Sequence, residues 1–206
     1  MKVLTLKGKD EWKYPELFDE AFRLRHKTFV EEMGWEAVRK SDGRERDQFD
    51  HEDAVHFMML DGGKLASYSR LLPTTRPHLL SDIYPHLAPR GYPKGDHVWE
   101  WTRWTTAWPY RRQGLWSFEG GAMLHTVAQY ALQSGIRELS LQGHPTWITR
   151  FLQVGYMPRP LGIPESVDGE PVVAFVLPLT PALLQSLEDR VAQRTRQDNF
   201  ALLGAV

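Results

Sequence analysis

The stretch Val98-Trp99-Glu100-Trp101-Thr102-Arg103-Trp104-Thr105-Thr106 decides how the rest of the chain is read. β-Branched and aromatic residues dominate it, which predicts a strand rather than a helix. A strand with one wet face would alternate apolar and polar residues. Here tryptophans stand on both sides, interrupted by one carboxylate and one guanidinium. Charges on a buried strand are costly unless paired or put to use. Glu100 and Arg103 are three apart, so a regular strand turns them to opposite faces, and only a bulge lets both serve one cavity. On this stretch alone, a Glu–Arg brace inside a sheet and a working pair in a site stand equally open.

Toward the C-terminus, Trp108-Pro109 leads into Tyr110-Arg111-Arg112-Gln113-Gly114-Leu115-Trp116. A helix is expected over 117–133, with Met123, Leu124, Val127, Ala128 and Ala131 inward, then a stop at Ser134-Gly135 and a strand over 136–141. Strand, helix and strand in that order form a βαβ-like crossover. A short helix over 145–154 and a strand over 172–179 follow. Thr180 caps a closing helix that has Pro181 at its first position and runs to 191. Residues 193–206 read as a loosely held tail.

Toward the N-terminus, strands over 55–60 and 65–72 are joined by Asp61-Gly62-Gly63, a hairpin signal. Residues 79–87 allow a turn or two of helix, and 3–6 a short first strand. Leu17, Phe18, Ala21, Phe22 and Phe29 fall at helical spacing, with Met33-Gly34-Trp35 as the stop. Arg25 lies on that same stripe, so it wants a carboxylate or an anionic ligand, or else snorkels past the rim. Residues 39–53 carry Asp42, Glu45, Asp47, Asp50, Glu52 and Asp53 and read as a solvated loop. The loop is long for a structureless connection, and long ordered loops often serve as lids or binding loops. The whole pattern predicts an α/β chain: one domain over residues 1–206, an α-β-α sandwich on a mixed, largely antiparallel sheet.

Charged residues make up 25% of the chain and the net charge is −1, which gives no case for a nucleic-acid or anionic-membrane surface. The absence of cysteine excludes disulfides, thiolate catalysis and Cys-type zinc sites. The opening residues turn polar too soon for a signal peptide, and no run of about 18 apolar residues could span a bilayer. A cytoplasmic setting is expected. Eight tryptophans suit pockets for flat or oily ligands, although a core uses them too. Gly-x-x-x-x-Gly-Lys-Ser/Thr, Gly-x-Ser-x-Gly and His-Glu-x-x-His are all missing, and the eight histidines are scattered, so no metal site is expected.

The Arg111 to Gly114 turn stands before a helix, where backbone N–H groups suit a phosphate and Arg111 and Arg112 add charge. It resembles the diphosphate-binding turn of the GCN5-related N-acetyltransferase fold, which binds acyl-CoA, with Trp116 where Gly or Ala is usual. A wider resemblance covers residues 20–180. It is carried by Arg25-x3-Phe29-x5-Trp35, by Asp47-Gln48-Phe49-Asp50, by Arg70-Leu71-Leu72-Pro73-Thr74-Thr75 and by Glu100-x-x-Arg103, in that order and at fitting intervals. The chain in these blocks resembles the acyl-homoserine lactone synthases, the autoinducer synthases of bacterial quorum sensing. Asp42-Gly43-Arg44-Glu45 and Pro160-Leu161-Gly162-Ile163-Pro164 look closer to the branch that uses acyl-CoA than to the acyl-carrier-protein branch.

That resemblance implies a reaction in which S-adenosylmethionine is acylated on its amine by a fatty acyl thioester and then lactonises, releasing methylthioadenosine. No cofactor beyond these substrates is implied, and acyl-carrier protein is the alternative donor and partner. It implies substrate-binding roles for Arg25, Phe29, Trp35, Asp47, Asp50, Arg70 and Arg103, with Glu100, Arg103 and Asp47 catalytic. A zwitterionic sulfonium substrate needs cations for its carboxylate and anions for its ammonium and sulfonium. The expectation is that Arg25, Arg70 and Arg103 converge with Asp47, Asp50 and Glu100 to grip it, under Phe29 and Trp35. Glu100, directly or through a water, is the candidate base. Trp101, Trp104, Met123, Leu124, Trp147 and Phe151 are available for the acyl chain, although a place in the core is the first reading of each, and the resemblance adds Ser140 near the third carbon. An acyl-CoA N-acyltransferase for another amine, and a non-catalytic acyl-CoA sensor, are the competing readings. The Asp47-x-x-Asp50 pair speaks against the first and Glu100 against the second.

Overall fold

A computed structural model describes residues 1–111 and 118–203. Strands β1 (Lys2–Lys7), β2 (Val55–Asp61), β3 (Lys64–Pro73), β4 (Val98–Thr106), β5 (Glu138–Gly143), β6 (Arg159–Pro160), β7 (Glu165–Val167) and β8 (Glu170–Pro178) alternate with helices α1 (Pro15–Arg25), α2 (Leu79–Asp82), α3 (Phe118–Gln133), α4 (Thr146–Gln153) and α5 (Pro181–Leu203). The sheet runs β1-β2-β3-β4-β5-β8-β6, with β7 paired to β8. Among the described residues only β4 and β5 are parallel; the other pairs are antiparallel. The result is the mixed α/β architecture expected, an open and mostly antiparallel sheet.

Alternation within the strands gives the sheet two apolar faces. One carries Val55, Phe57, Leu71, Trp101, Leu139 and Phe175 against Met123, Leu124 and Val127 of α3, Phe151 of α4 and Leu183 and Leu187 of α5. The other carries Met58, Leu65 and Tyr68 against Phe18, Ala21 and Phe22 of α1. Burying a large apolar side chain is worth about 1.5–3 kcal/mol, so Phe18 and Phe22, with Ala21 between them, are enough to fix α1 to its face.

Three details depart from the sequence reading. The helix begun at Pro15 does not stay α-helical to Met33: His26–Glu32 widens into a π-helical turn, which stops at Gly34 with φ of 73°. Strands β6 and β7 were not expected, because two or three mostly exposed residues flanked by prolines carry no periodic signal. Helix α5 continues past Val191 through most of the stretch read as a tail. Its start matches: Thr180 Oγ1 accepts from the Leu183 N–H at 3.1 Å.

β4 holds the decisive irregularity. Tyr68 pairs with Thr105 and Arg70 with Thr102, so Ser69 alone on β3 faces both Arg103 and Trp104 on β4. This is a bulge, and Arg103 takes the positive φ of 58° that the extra residue demands. On the other side, the parallel ladder with β5 ends at Glu100–Ser140 although both strands run on. β4 therefore leaves β5 at the very point where its charged residues begin.

Candidate active site

The bulge puts Arg103 on the face that bears Arg70 and sends Trp104 to the opposite face, where it stacks on Trp101 at 5.2 Å between ring centres. One strand thus serves two neighbourhoods. On the first face lies an ionic cluster built from α1, the 39–53 loop, β3 and β4.

Arg25 and Arg70 are fully buried. Arg25 Nε donates to Glu45 Oε2 at 2.6 Å, and its Nη1 to Asp50 Oδ1 at 2.7 Å and to the Tyr68 hydroxyl at 3.3 Å. Arg70 forks onto Asp47 at 2.7 and 3.0 Å, reaches Asp50 at 2.5 Å, and donates through Nε to Thr102 at 3.1 Å. Arg103 contacts both Glu45 oxygens at 3.1 and 3.2 Å and Asp47 Oδ2 at 2.9 Å. Buried charges persist because every charge meets its opposite within hydrogen-bond reach. Burial pushes the Glu45 carboxyl up, but Arg25 and Arg103 outweigh it and hold the group at about 2. Asp50, likewise desolvated, is held well below the usual carboxylate range by Arg25 and Arg70. His56 stands behind the cluster with Nδ1 2.7 Å from the Tyr68 hydroxyl, and burial drives its imidazole down to about 3.

The expected convergence of six groups is therefore corrected in two respects. Glu45, not Glu100, is the third acid of the cluster. And the guanidinium groups are already engaged by protein carboxylates, so they do not stand open as a ready grip for a substrate carboxylate. The rim nearest solvent is Arg103 with Asp47. Above Arg103 lie the rings of Phe29 and Trp35, stacked at 4.9 Å, each centre 5.6 Å from the guanidinium carbon. The π-helical turn and Gly34 bring those two rings together, since Trp35 N–H bonds the Phe29 carbonyl at 2.8 Å.

Glu100 sits further along the same face, fully buried. Its Oε2 accepts from Leu79 N–H at 2.9 Å, and its Oε1 from Leu80 N–H at 2.8 Å and Gln142 Nε2 at 3.0 Å. Burial pushes this carboxyl up, partly countered by His78 and those donors. Glu100 and Arg103 do share a face, as a bulge permits, but they serve separate polar groups.

The residues read for an acyl chain divide. Trp101, Trp104, Trp147 and Phe151 form a continuous aromatic wall with centres 5.2–6.0 Å apart, extended by Tyr156 and Phe175. Met123 and Leu124 are buried behind it. Ser140 pairs in register with Glu100 and shares the carboxylate's face rather than the aromatic one. Arg111 does not stand free for a phosphate: it ties to the Thr106 carbonyl, to Glu32 and, at 2.9 Å, to Thr28 Oγ1. Arg112, Gly114 and Trp116 lie outside the described residues. Among the described residues no group of three acidic or histidine side chains could hold a metal, and no helix is long and apolar enough to cross a membrane.

Comparison with known proteins places this geometry. The isovaleryl-homoserine lactone synthase of Bradyrhizobium diazoefficiens is 36% identical over 86% of this chain and 80% of its own length. The acyl-homoserine-lactone synthase of Ralstonia solanacearum is 35% identical over 78% of this chain and 81% of its own. Among solved structures, the CoA-dependent acyl-homoserine lactone synthase BjaI, determined with SAM and isopentyl-CoA, superposes with a TM-score of 0.87 at 32% identity, covering 92% of this chain and 89% of that one. The autoinducer synthase family model matches residues 10–180, and the chain belongs to that family of acyltransferases, the acyl-homoserine-lactone synthases.

Proposed function

We propose that this chain, acting as one domain over residues 1–206 in the cytoplasm, acylates the amine of S-adenosylmethionine from an acyl-CoA. It then closes the homoserine lactone. Acyl-CoA is favoured over acyl-carrier protein by the likeness to BjaI. The observation that carries the reading is the double orientation of β4, which offers an ionic cluster with an aromatic lid on one face and an aromatic wall on the other. An enzyme joining a zwitterion to an oily acyl group needs a surface of each kind.

In this reading the amino-acid end of the substrate meets the rim formed by Arg103 and Asp47, beneath Phe29 and Trp35. The ammonium and sulfonium face the acids and the rings, and the carboxylate exchanges into the rim at Arg103. Arg25, Arg70, Glu45 and Asp50 form the rigid floor under that exchange. The acyl chain lies along Trp101, Trp104, Trp147 and Phe151, and the thioester enters where β4 parts from β5. Backbone N–H groups released there from the ladder suit the developing oxyanion. Lactone closure depends on positioning. The carboxylate oxygen attacks the γ-carbon in line, the C–S bond breaks, and the thioether leaves neutral.

Purified protein with S-adenosylmethionine and a panel of straight, branched and aryl acyl-CoAs is expected to release methylthioadenosine and free thiol in equal amounts. Thiol without methylthioadenosine would assign the chain to acylation of another amine. Neither product with any thioester would leave a binding protein.

A further inference from the structure

We propose that His78, working beside Glu100, takes the proton from the reacting amine. The assignment rests on the synthase reading above and names a residue for its first step. Glu100 is poorly placed to act as the base alone, since three N–H donors already fix its two oxygens. Such a carboxylate is held still.

His78 directly precedes Leu79 and Leu80, whose N–H groups hold Glu100, and it is 1% exposed. Its Nδ1 lies 2.8 Å from the Arg76 carbonyl, which can only accept, so Nδ1 carries the hydrogen. Neutral imidazole then has its bare lone pair on Nε2. That atom is buried and has no hydrogen-bond partner. A bare, buried lone pair of this kind is open to accept a proton. The imidazolium formed would sit beside the Glu100 carboxylate.

The other groups around the ring do not compete for the proton. Tyr92 lies edge-on at 5.6 Å, and the Arg76 guanidinium is turned away to Asp53 at 2.7 Å and Glu52 at 4.0 Å. Ser81 holds the main chain of His78 in place, accepting from its N–H at 2.9 Å and donating to its carbonyl at 2.9 Å. Ser140 Oγ, register partner of Glu100, is also buried without a hydrogen-bond partner, so this end of the face is polar.

In this step an ammonium N–H proton passes to Nε2, and the freed lone pair forms the N–C bond at the thioester carbonyl. Collapse of the adduct breaks the C–S bond; the thiolate leaves with the electron pair and takes the second amine proton. The imidazolium returns its proton to solvent, giving amide, thiol and one proton.

His78→Asn keeps a residue suited to a helix start, so the fold should survive. Expected are unchanged melting and unchanged stabilisation by S-adenosylmethionine, with kcat/KM down about tenfold or more and the acid limb of its pH profile displaced. In the intact wild-type protein, nitrogen-15 spectra should show the His78 ring protonated at Nδ1 and bare at Nε2. A variant within about threefold of wild type, with the same pH profile, overturns the assignment. So does a neutral ring protonated at Nε2, which is decisive even if the variant fails to fold. Wild-type protein that releases no methylthioadenosine would instead remove the synthase reading, and this assignment with it.

Discussion

Arg103 bears two loads at once, a positive φ on β4 and a fork shared between Glu45 and Asp47. Lysine carries the charge but not the fork, and its tetrahedral ammonium cannot lie flat beneath Phe29 and Trp35. Arg103→Lys is expected to lower stability by about 1.5–3 kcal/mol, read by urea denaturation, with a larger fractional loss in turnover. Part of this was legible. Arg25 on an apolar stripe raised an ion pair as one of three readings, and the three-residue gap from Glu100 to Arg103 made a bulge the condition for both to share a face. Which acids would pair was not legible, because the 39–53 loop holds six and nothing in their spacing says which turn inward. Only tertiary contact selects Glu45 and leaves Asp42 at the surface.

At the scale of elements, the acidic loop is a brace drawn down onto the sheet at several points. Glu45 N–H bonds the Phe22 carbonyl at 3.0 Å, and Gly8 N–H bonds the Ala54 carbonyl at 2.8 Å just after β1. A Cβ on Gly8 would stand 2.0 Å from the His51 carbonyl oxygen, so the backbones of the two segments approach as only glycine allows. Gly8→Ala should therefore loosen the loop's C-terminal end. Hydrogen exchange is expected to rise at Lys9 and Ala54, with stability down about 1–3 kcal/mol. The long strands were readable because alternation and a two-glycine turn are local signals. The π-helical turn was not, since the side chains at 18, 22, 25 and 29 fit a plain α-helix, and only the packing of Phe29 on Trp35 widens the turn.

For the molecule as a whole, the buried groups set an acid limit. His56 titrates at about 3 in the fold against an ordinary 6.5, and Glu45 at about 2 against 4.5. Both values are depressed, so at these two groups the native state binds fewer protons than the unfolded chain, and acid acting on them favours unfolding. Stability from His56 is complete above pH 6.5 and drains as pH falls toward 3. That from Glu45 drains between 4.5 and 2. Melting temperature should be flat above pH 6.5 and fall in two overlapping stages below it, and His56→Gln should remove the upper stage. The ionic cluster has a further consequence at distance. Three guanidinium groups and three carboxylates cancel, and the chain as a whole carries only −1, so little field extends beyond the Debye length of about 8 Å at physiological salt. A charged substrate is not steered in from bulk water. Its association rate is expected to depend only weakly on ionic strength, a stopped-flow salt series being the check.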